Sequence, residues 1–191
     1  MLWTIANNII VFGGYGRESN GKYAPLEYLN DTFHLNTRTM KWNQLTTTGT
    51  PPSPRDSCAH AQCAGKGFLF AGHHYNGNNN DLHMFDLISH VWTELKPNLG
   101  YNPHARGSSQ MIVRGTDLII FGGIGDDLKV LSDCWAWSIE KKTWRELKDY
   151  DFDARHSHTA CYMSNDSVLI VGGSNKFYGG DALGPGRFLF V

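Results

Sequence analysis

Charge of either sign is scarce in this chain. Asp, Glu, Lys and Arg together make up 18% of the 191 residues, and 17 cationic side chains nearly cancel 18 anionic ones. An ordinary domain carries roughly 25%. Without a basic excess there is no electrostatic footprint for nucleic acid or for an anionic membrane surface. Long apolar runs are missing as well, and none approaches the roughly 18 residues of a spanning helix. The apolar stretch of Met1 to Val11 has no basic residue ahead of it, so it reads as a poor secretory signal. Cysteine is limited to Cys58, Cys63, Cys134 and Cys161, with no CxxC pair and no framework spacing. That pattern predicts reduced, buried thiols in an intracellular protein of the cytoplasm or nucleus. No glycine-rich phosphate loop opens a helix, and neither a GxSxG elbow nor a Cys/His dyad is present. No catalytic residue, cofactor or metal is therefore assigned.

What the chain does have is glycine, 21 residues, and aromatics at 13%. This composition suits short strands and tight turns. The residues recur at fixed intervals. Gly13-Gly14 returns as Ala71-Gly72, Gly122-Gly123 and Gly172-Gly173, with second members 58, 51 and 50 residues apart. Asp31, Asp81 and Asp133 are each followed 11 residues later by Trp42, Trp92 or Trp144, and three residues beyond that by Leu45, Leu95 or Leu147. Arg55, Arg106 and Arg155 precede Gly72, Gly123 and Gly173 by 17, 17 and 18 residues, each with a serine two positions on (Ser57, Ser108, Ser157). A fixed period of this length means stacked structural units. Each marker has a structural task. The glycines permit positive φ or close backbone approach, the tryptophans fill the space between units, and Arg and Asp satisfy buried polar groups near strand ends.

Short apolar runs end at the glycine pairs: 9–12, 67–70, 118–121 and 168–171. They predict strands buried on both faces, and the segments around the aspartates and tryptophans predict a third and a fourth strand. A unit of about fifty residues with four strands, a glycine pair and a late tryptophan resembles the kelch repeat of β-propellers. The resemblance implies an all-β fold, a kelch propeller segment of about three and a half blades belonging to a six-bladed ring. Its blades are placed at 1–46 (lacking the first strand), 55–96, 106–148 and 155–191 (incomplete). It also implies an excerpt, truncated isoform or partial gene product of a longer propeller, with unpaired strand edges at both ends.

In an antiparallel blade the loops from strand two to three, and from strand four to the next strand one, share a face. Here they are residues 15–29, 46–54, 73–80, 96–105, 124–131, 148–154 and 174–181, and long loops on one side are where such a fold binds something. Tyr15, His73, His74, Tyr75, Asn78 and Ser108 are the candidate partner-binding residues, a polar and aromatic set suited to peptide contact. His156 and His158, two apart on a predicted strand, share one face and are read as structural. The wording around Asn30-Asp31, Thr48 to Arg55, Asn80-Asp81 and Leu131 to Trp137 is similar to kelch substrate receptors of cullin-RING ubiquitin ligases, which cradle a free C-terminal tail on the loop face. This similarity implies a non-catalytic module that recognises a substrate or peptide tail, with ligase subunits reached through a longer chain. The receptors' aromatic after the glycine pair is present as Tyr15, whereas two carboxylate-clamping arginines are replaced by His73 and Asn78. One alternative is a general kelch scaffold for cytoskeletal, GTPase-linked or chromatin partners. A more distant one is a metal-assisted lyase like the plant kelch specifier proteins, built on Glu27, Asp31 and His34 with the last spacing one residue short.

Overall fold

The computed structural model describes residues 1–17, 25–148, 153–164, 166–177 and 182–189. Parts of three predicted loops (18–24, 149–152 and 178–181), Asn165 of one predicted turn, and Phe190 and Val191 of the predicted last strand lie outside the described residues.

The strands fall into successive antiparallel sheets. The first contains β1 (Leu2–Ile5), β2 (Asn8–Gly16), β3 (Glu27–Asn36) and β4 (Lys41–Gln44), hydrogen-bonded in chain order. Residues 1–46 thus do not lack a first strand, because Leu2–Ile5 pairs along β2 from Leu2↔Val11 to Ile5↔Asn8. The second sheet comprises β5 (Thr48–Gly49), β6 (Ala59–Cys63), β7 (Lys66–Phe70), β10 (Leu82–Asp86) and β11 (Val91–Glu94), with β5 running parallel to the outer β11. Between β7 and β10, β8 (His73–His74) and β9 (Gly77–Asn78) form a small hairpin of their own. The third sheet is β12 (Gln110–Arg114), β13 (Asp117–Phe121), β14 (Cys134–Ser138) and β15 (Thr143–Leu147), and the fourth is β16 (Thr159–Met163), β17 (Ser167–Val171) and β18 (Gly186–Leu189). Neighbouring sheets approach one another along their first strands, β1, β6, β12 and β16. This is the blade-by-blade arrangement of a β-propeller.

The core lies between blades, and the two-residue period of a strand explains how one strand serves two neighbours. In β13, Leu118 and Ile120 pack with Phe68, Phe70 and Trp144 toward the second blade, while Ile119 and Phe121 pack with Val168 and Ile170 of the fourth. Such a strand is apolar at every inner position. The strand-two runs of the two outer blades depart from that expectation. Val168 and Ile170 are buried, but Leu169 and Val171 on the far face are 38% and 47% exposed, since no further blade covers them among the described residues.

The repeat tryptophans of the second and third blades pack onto the preceding blade. Trp92 meets Phe12 and Trp3 of the first sheet at ring distances of 4.8 and 5.8 Å, and Trp144 meets Phe70 of the second at 5.2 Å. Trp42 belongs to the first sheet, has no preceding sheet to meet among the described residues, and is 54% exposed. Its expected inter-blade role is thus not seen. Of the cysteines, Cys58 and Cys134 are buried, with thiols pushed up to about 12 by burial. Cys161 is exposed rather than buried, because it lies opposite Leu169 on the face of the fourth sheet turned away from the third.

The second glycine of each pair is required by conformation, and at Gly72, Gly123 and Gly173, though not at Gly14, by space as well. Gly123 has φ 101°, and a Cβ there would stand 2.8 Å from the Gly107 carbonyl oxygen and 2.9 Å from Ser109 Cβ. At the first position, Ala71 shows that a methyl group is tolerated in the left-handed region at φ 61°.

His156 and His158 precede β16 rather than lying on it, and left-handed Ser157 between them (φ 55°) turns them apart. His156 contacts Ser157 Oγ and the Lys176 carbonyl at the surface, while His158 is 3% exposed against the Phe121 ring. Burial first, then the charge of Arg155 and the neighbouring His156, push the His158 pKa down to about 4. The unfolded chain takes up this proton near an ordinary value of roughly 6.5. Stability should therefore fall as pH drops through that value toward about 4, at up to roughly 1.4 kcal/mol per unit. Cys58 and Ser109 occupy the same repeat position, so His158→Ser is a tolerable replacement. It should flatten the decline of urea-unfolding stability between about pH 6.5 and 4.5; an unchanged slope would show that another group controls it.

Candidate functional site

The repeat arginines set the geometry between blades. Arg106 is wholly buried, and its guanidinium donates to both Asp133 carboxylate oxygens at 2.7 Å, to the Gly122 carbonyl at 3.0 Å and to the His104 carbonyl at 3.0 Å. Burial alone would push the Asp133 carboxyl up, but the hydrogen bonds and charge of Arg106 outweigh it and hold the group below its ordinary value. Arg55 makes the same fork to Asp81 at 2.5 and 2.9 Å. Asp31 forms no ion pair among the described residues. The backbone of Arg106 joins two blades: its N–H donates to the Asn79 carbonyl and its carbonyl accepts from Gly72 N–H, both at 3.0 Å. The serine two residues on adds another link, as Ser108 N–H donates to the Ser57 carbonyl at 2.8 Å and Ser157 N–H to the Ser108 carbonyl at 3.0 Å. Left-handed φ values of 53°, 55° and 55° at Ser57, Ser108 and Ser157 aim these groups along the ring.

Where this belt crosses from the second blade to the third, the loop face opens into a cavity of about 260 Å³. Its wall includes Asp56, His73, Asn78, Gly107, Ser108 and Asp126, with apolar surface from Ile124, Leu128 and Phe177. Gly107 creates much of the space. The equivalent bridge pairs are Asp56↔His73, Gly107↔Ile124 and His156↔Ser174, so a side chain stands at this point in the second and fourth blades but not in the third. A Cβ on Gly107 would lie 2.9 Å from Asn78 Oδ1 and 3.8 Å from His73 Cβ. The Asn78 backbone N–H donates to Asp126 at 2.7 Å and its amide to the Ile124 carbonyl at 3.2 Å, whereas its buried Oδ1 finds no donor among the described residues. A buried acceptor left open costs free energy unless something fills it.

An aromatic group adjoins the cavity through His73. Tyr28 Oη shares a hydrogen bond with His73 Nδ1 at 2.7 Å, and its ring meets Tyr15 at 4.8 Å and Tyr75 at 4.9 Å, the latter edge-to-face. The Tyr28 backbone N–H donates to Tyr75 Oη at 3.2 Å. Burial, followed by the Asp56 carboxylate and the two tyrosines, pushes the Tyr28 phenol above its ordinary value. Tyr15 and Tyr75 remain 52% and 66% exposed, as rings that contact a partner should be.

The structure thus brings His73, Asn78 and Ser108 to one cavity and places Tyr15 and Tyr75 beside it. His74 stays apart, its Nδ1 accepting from the Asn76 backbone at 2.8 Å. Sequence reasoning missed Tyr28, Asp56, Gly107 and Asp126. The one available signal was the glycine at position 107 where the other repeats carry Asp56 and His156. Glu27, Asp31 and His34 are not brought together: among the described residues no three His, Cys, Asp or Glu side chains form a metal-holding group, and His34 Nε2 meets Asn43 at 3.2 Å.

Stacked four-stranded blades, an Arg–Asp fork in each inner blade and a cavity on the loop face define a β-propeller repeat module of the kelch class. The chain belongs to this family: residues 1–178 match the family described as the KLHDC2/KLHL20/DRC7 Kelch-repeats domain. It is 35% identical over 189 residues to "Kelch domain-containing protein 2" of Bos taurus, covering 90% of this chain and 46% of that protein. It is 29% identical to "Kelch domain-containing protein 1" of Mus musculus, covering 90% and 47%, and 32% identical to "Kelch domain-containing protein 10" of Rattus norvegicus, covering 88% and 42%. The chain therefore spans about half the length of these curated relatives. A solved structure described as "Structure of YjhT" superimposes with a TM-score of 0.73 at 18% identity, covering 93% of this chain and 59% of that one. At that identity the likeness is one of fold.

Proposed function

We propose that this chain is a non-catalytic protein-interaction module of the cytoplasm or nucleus. It receives an exposed peptide segment of a partner in the loop-face cavity between the second and third blades. The observation that carries this reading is the cavity itself, opened by a glycine the backbone does not require and walled by the polar residues Asp56, His73, Asn78, Ser108 and Asp126. Exposed tyrosines beside a concave polar pocket supply what peptide contact needs: large, rigid rings around a few placed hydrogen-bonding groups. Selection of substrates for a ubiquitin ligase is the finer form of the reading, supported by the likeness to the kelch receptors and by the kelch domain-containing relatives.

Peptides selected by phage display on the purified chain should lose about tenfold or more in affinity when Tyr28 and His73 are changed to alanine. Thr116→Ala, on the opposite face, should leave affinity unchanged. Selected peptides that bind the double variant as well as the parent would overturn the site. The ligase form is tested by mixing the full-length gene product with purified cullin-RING adaptor subunits on a gel-filtration column. Co-elution supports it, and separate elution favours a scaffold using the same cavity.

A further inference from the structure

The cavity's wall has a definite electrostatic sense. Two carboxylates, Asp56 and Asp126, face it, and neither forms an ion pair among the described residues. One oxygen of Asp126 is engaged by the Asn78 backbone N–H at 2.7 Å, which fixes the carboxylate in place. Asn78 Oδ1, buried against Gly107 behind this wall, finds no donor among the described residues. No lysine or arginine is among the described lining residues; Lys129 stands in the neighbouring hollow beside Asp126 and Asp127. Independently, the tyrosine group adjoining His73 presents aromatic ring faces, whose negative quadrupole attracts cations. A carboxylate entering this space would meet two like charges and no fixed cation. A protonated amine would meet two carboxylates, with aromatic ring faces beside the opening, and both attract positive charge.

We propose that the group seated in this cavity is an ammonium, from a lysine side chain or the free N-terminus of the partner, and not a C-terminal carboxylate. This rests on the reading of the cavity as a peptide site and names the charge of its ligand. The chemistry selects against the tail-clamping mode that the sequence resemblance implies, because His73 and Asn78 supply no fixed cation at the two positions concerned. Binding is expected to weaken as salt rises, since partly exposed charge pairs are screened.

The test uses pools of random octapeptides with acetylated and amidated ends, captured on the immobilised protein and quantified by mass spectrometry. One pool fixes a central lysine and a second fixes acetyl-lysine. A third has a free N-terminus and a fourth a free C-terminus, each without fixed lysine. The lysine pool, the free N-terminus pool, or both should be retained about tenfold better than the acetyl-lysine pool, the loss expected when a charge-assisted hydrogen bond is removed. Which of the two is retained identifies the source of the amine. Asp56→Asn with Asp126→Asn keeps the shape and the acceptor for Asn78, and should abolish the preference without changing the melting temperature. Best retention of the free C-terminus pool, or equal retention of lysine and acetyl-lysine, overturns the inference while leaving the peptide site standing. Retention of no pool above that by the Tyr28→Ala, His73→Ala variant overturns the peptide site itself.

Discussion

Changing Asp133 to alanine should destabilise the protein by about 3–5 kcal/mol, because it strands a guanidinium that has no access to water. Arg106 is 0% exposed, and the two Asp133 oxygens take half of its hydrogen bonds. Once they are gone, the charge must be solvated by opening the joint at which Arg106 links Asn79 of the second blade to the third. Asp31→Ala is the matched control. The same repeat position there pairs with no arginine among the described residues, so its cost should stay within about 1 kcal/mol. Urea unfolding followed by circular dichroism measures both. Equal losses at the two positions would show that the aspartate serves strand pairing rather than the arginine fork. The same fork fixes the acid response of Asp133. A carboxyl held below its ordinary value contributes stability above that value, and this contribution is lost as pH falls through the folded-state pKa.

Trp92→Ala should be comparably severe, about 3–5 kcal/mol. Its ring is 1% exposed and meets Trp3, Phe12 and Phe85 at 5.8, 4.8 and 4.7 Å, so truncation empties the centre of the joint between the first two blades. Trp42→Ala at the equivalent repeat position should cost about 1 kcal/mol or less, since its ring is already half in solvent. Collisional quenching of tryptophan fluorescence by iodide should accordingly lose its most accessible component in the Trp42 variant and none in the Trp92 variant. A loss at Trp42 as large as that at Trp92 would mean that another surface covers the first blade in solution.

The parts of this molecule legible in its sequence are those repeated in it. Arg106 with Asp133, Trp144 after Asp133, and the glycine pair at 122–123 recur because each blade solves the same three problems: a buried cation, an inter-blade gap and a tight strand end. Leu2–Ile5 escaped notice as a strand because it carries none of these markers and is too short for its alternation to stand out. Trp42 reads in sequence like Trp92, since burial is a property of the neighbouring blade and not of the repeat. The cavity was legible only in part, through His73, Asn78 and Ser108, which follow the arginine or glycine markers at set distances. Asp56, Gly107 and Asp126 come from three separate turns and converge only because blades two and three dock. A glycine where the repeat elsewhere carries a side chain is a weak signal in one sequence, yet in the structure it is the opening of the site.

That position also allows the most direct test of the central claim, that a partner enters between the second and third blades. Histidine is native at the corresponding point of the fourth blade, in the same bridge geometry (His156↔Ser174 beside Gly107↔Ile124), so Gly107→His should fold, at a modest cost for displacing the Asn78 amide that its Cβ would meet at 2.9 Å, while filling the cavity. Titration calorimetry of a peptide selected on the parent chain should then show a loss of affinity of about tenfold or more. A folded Gly107→His protein that binds the peptide as tightly as the parent would place the site elsewhere on the molecule.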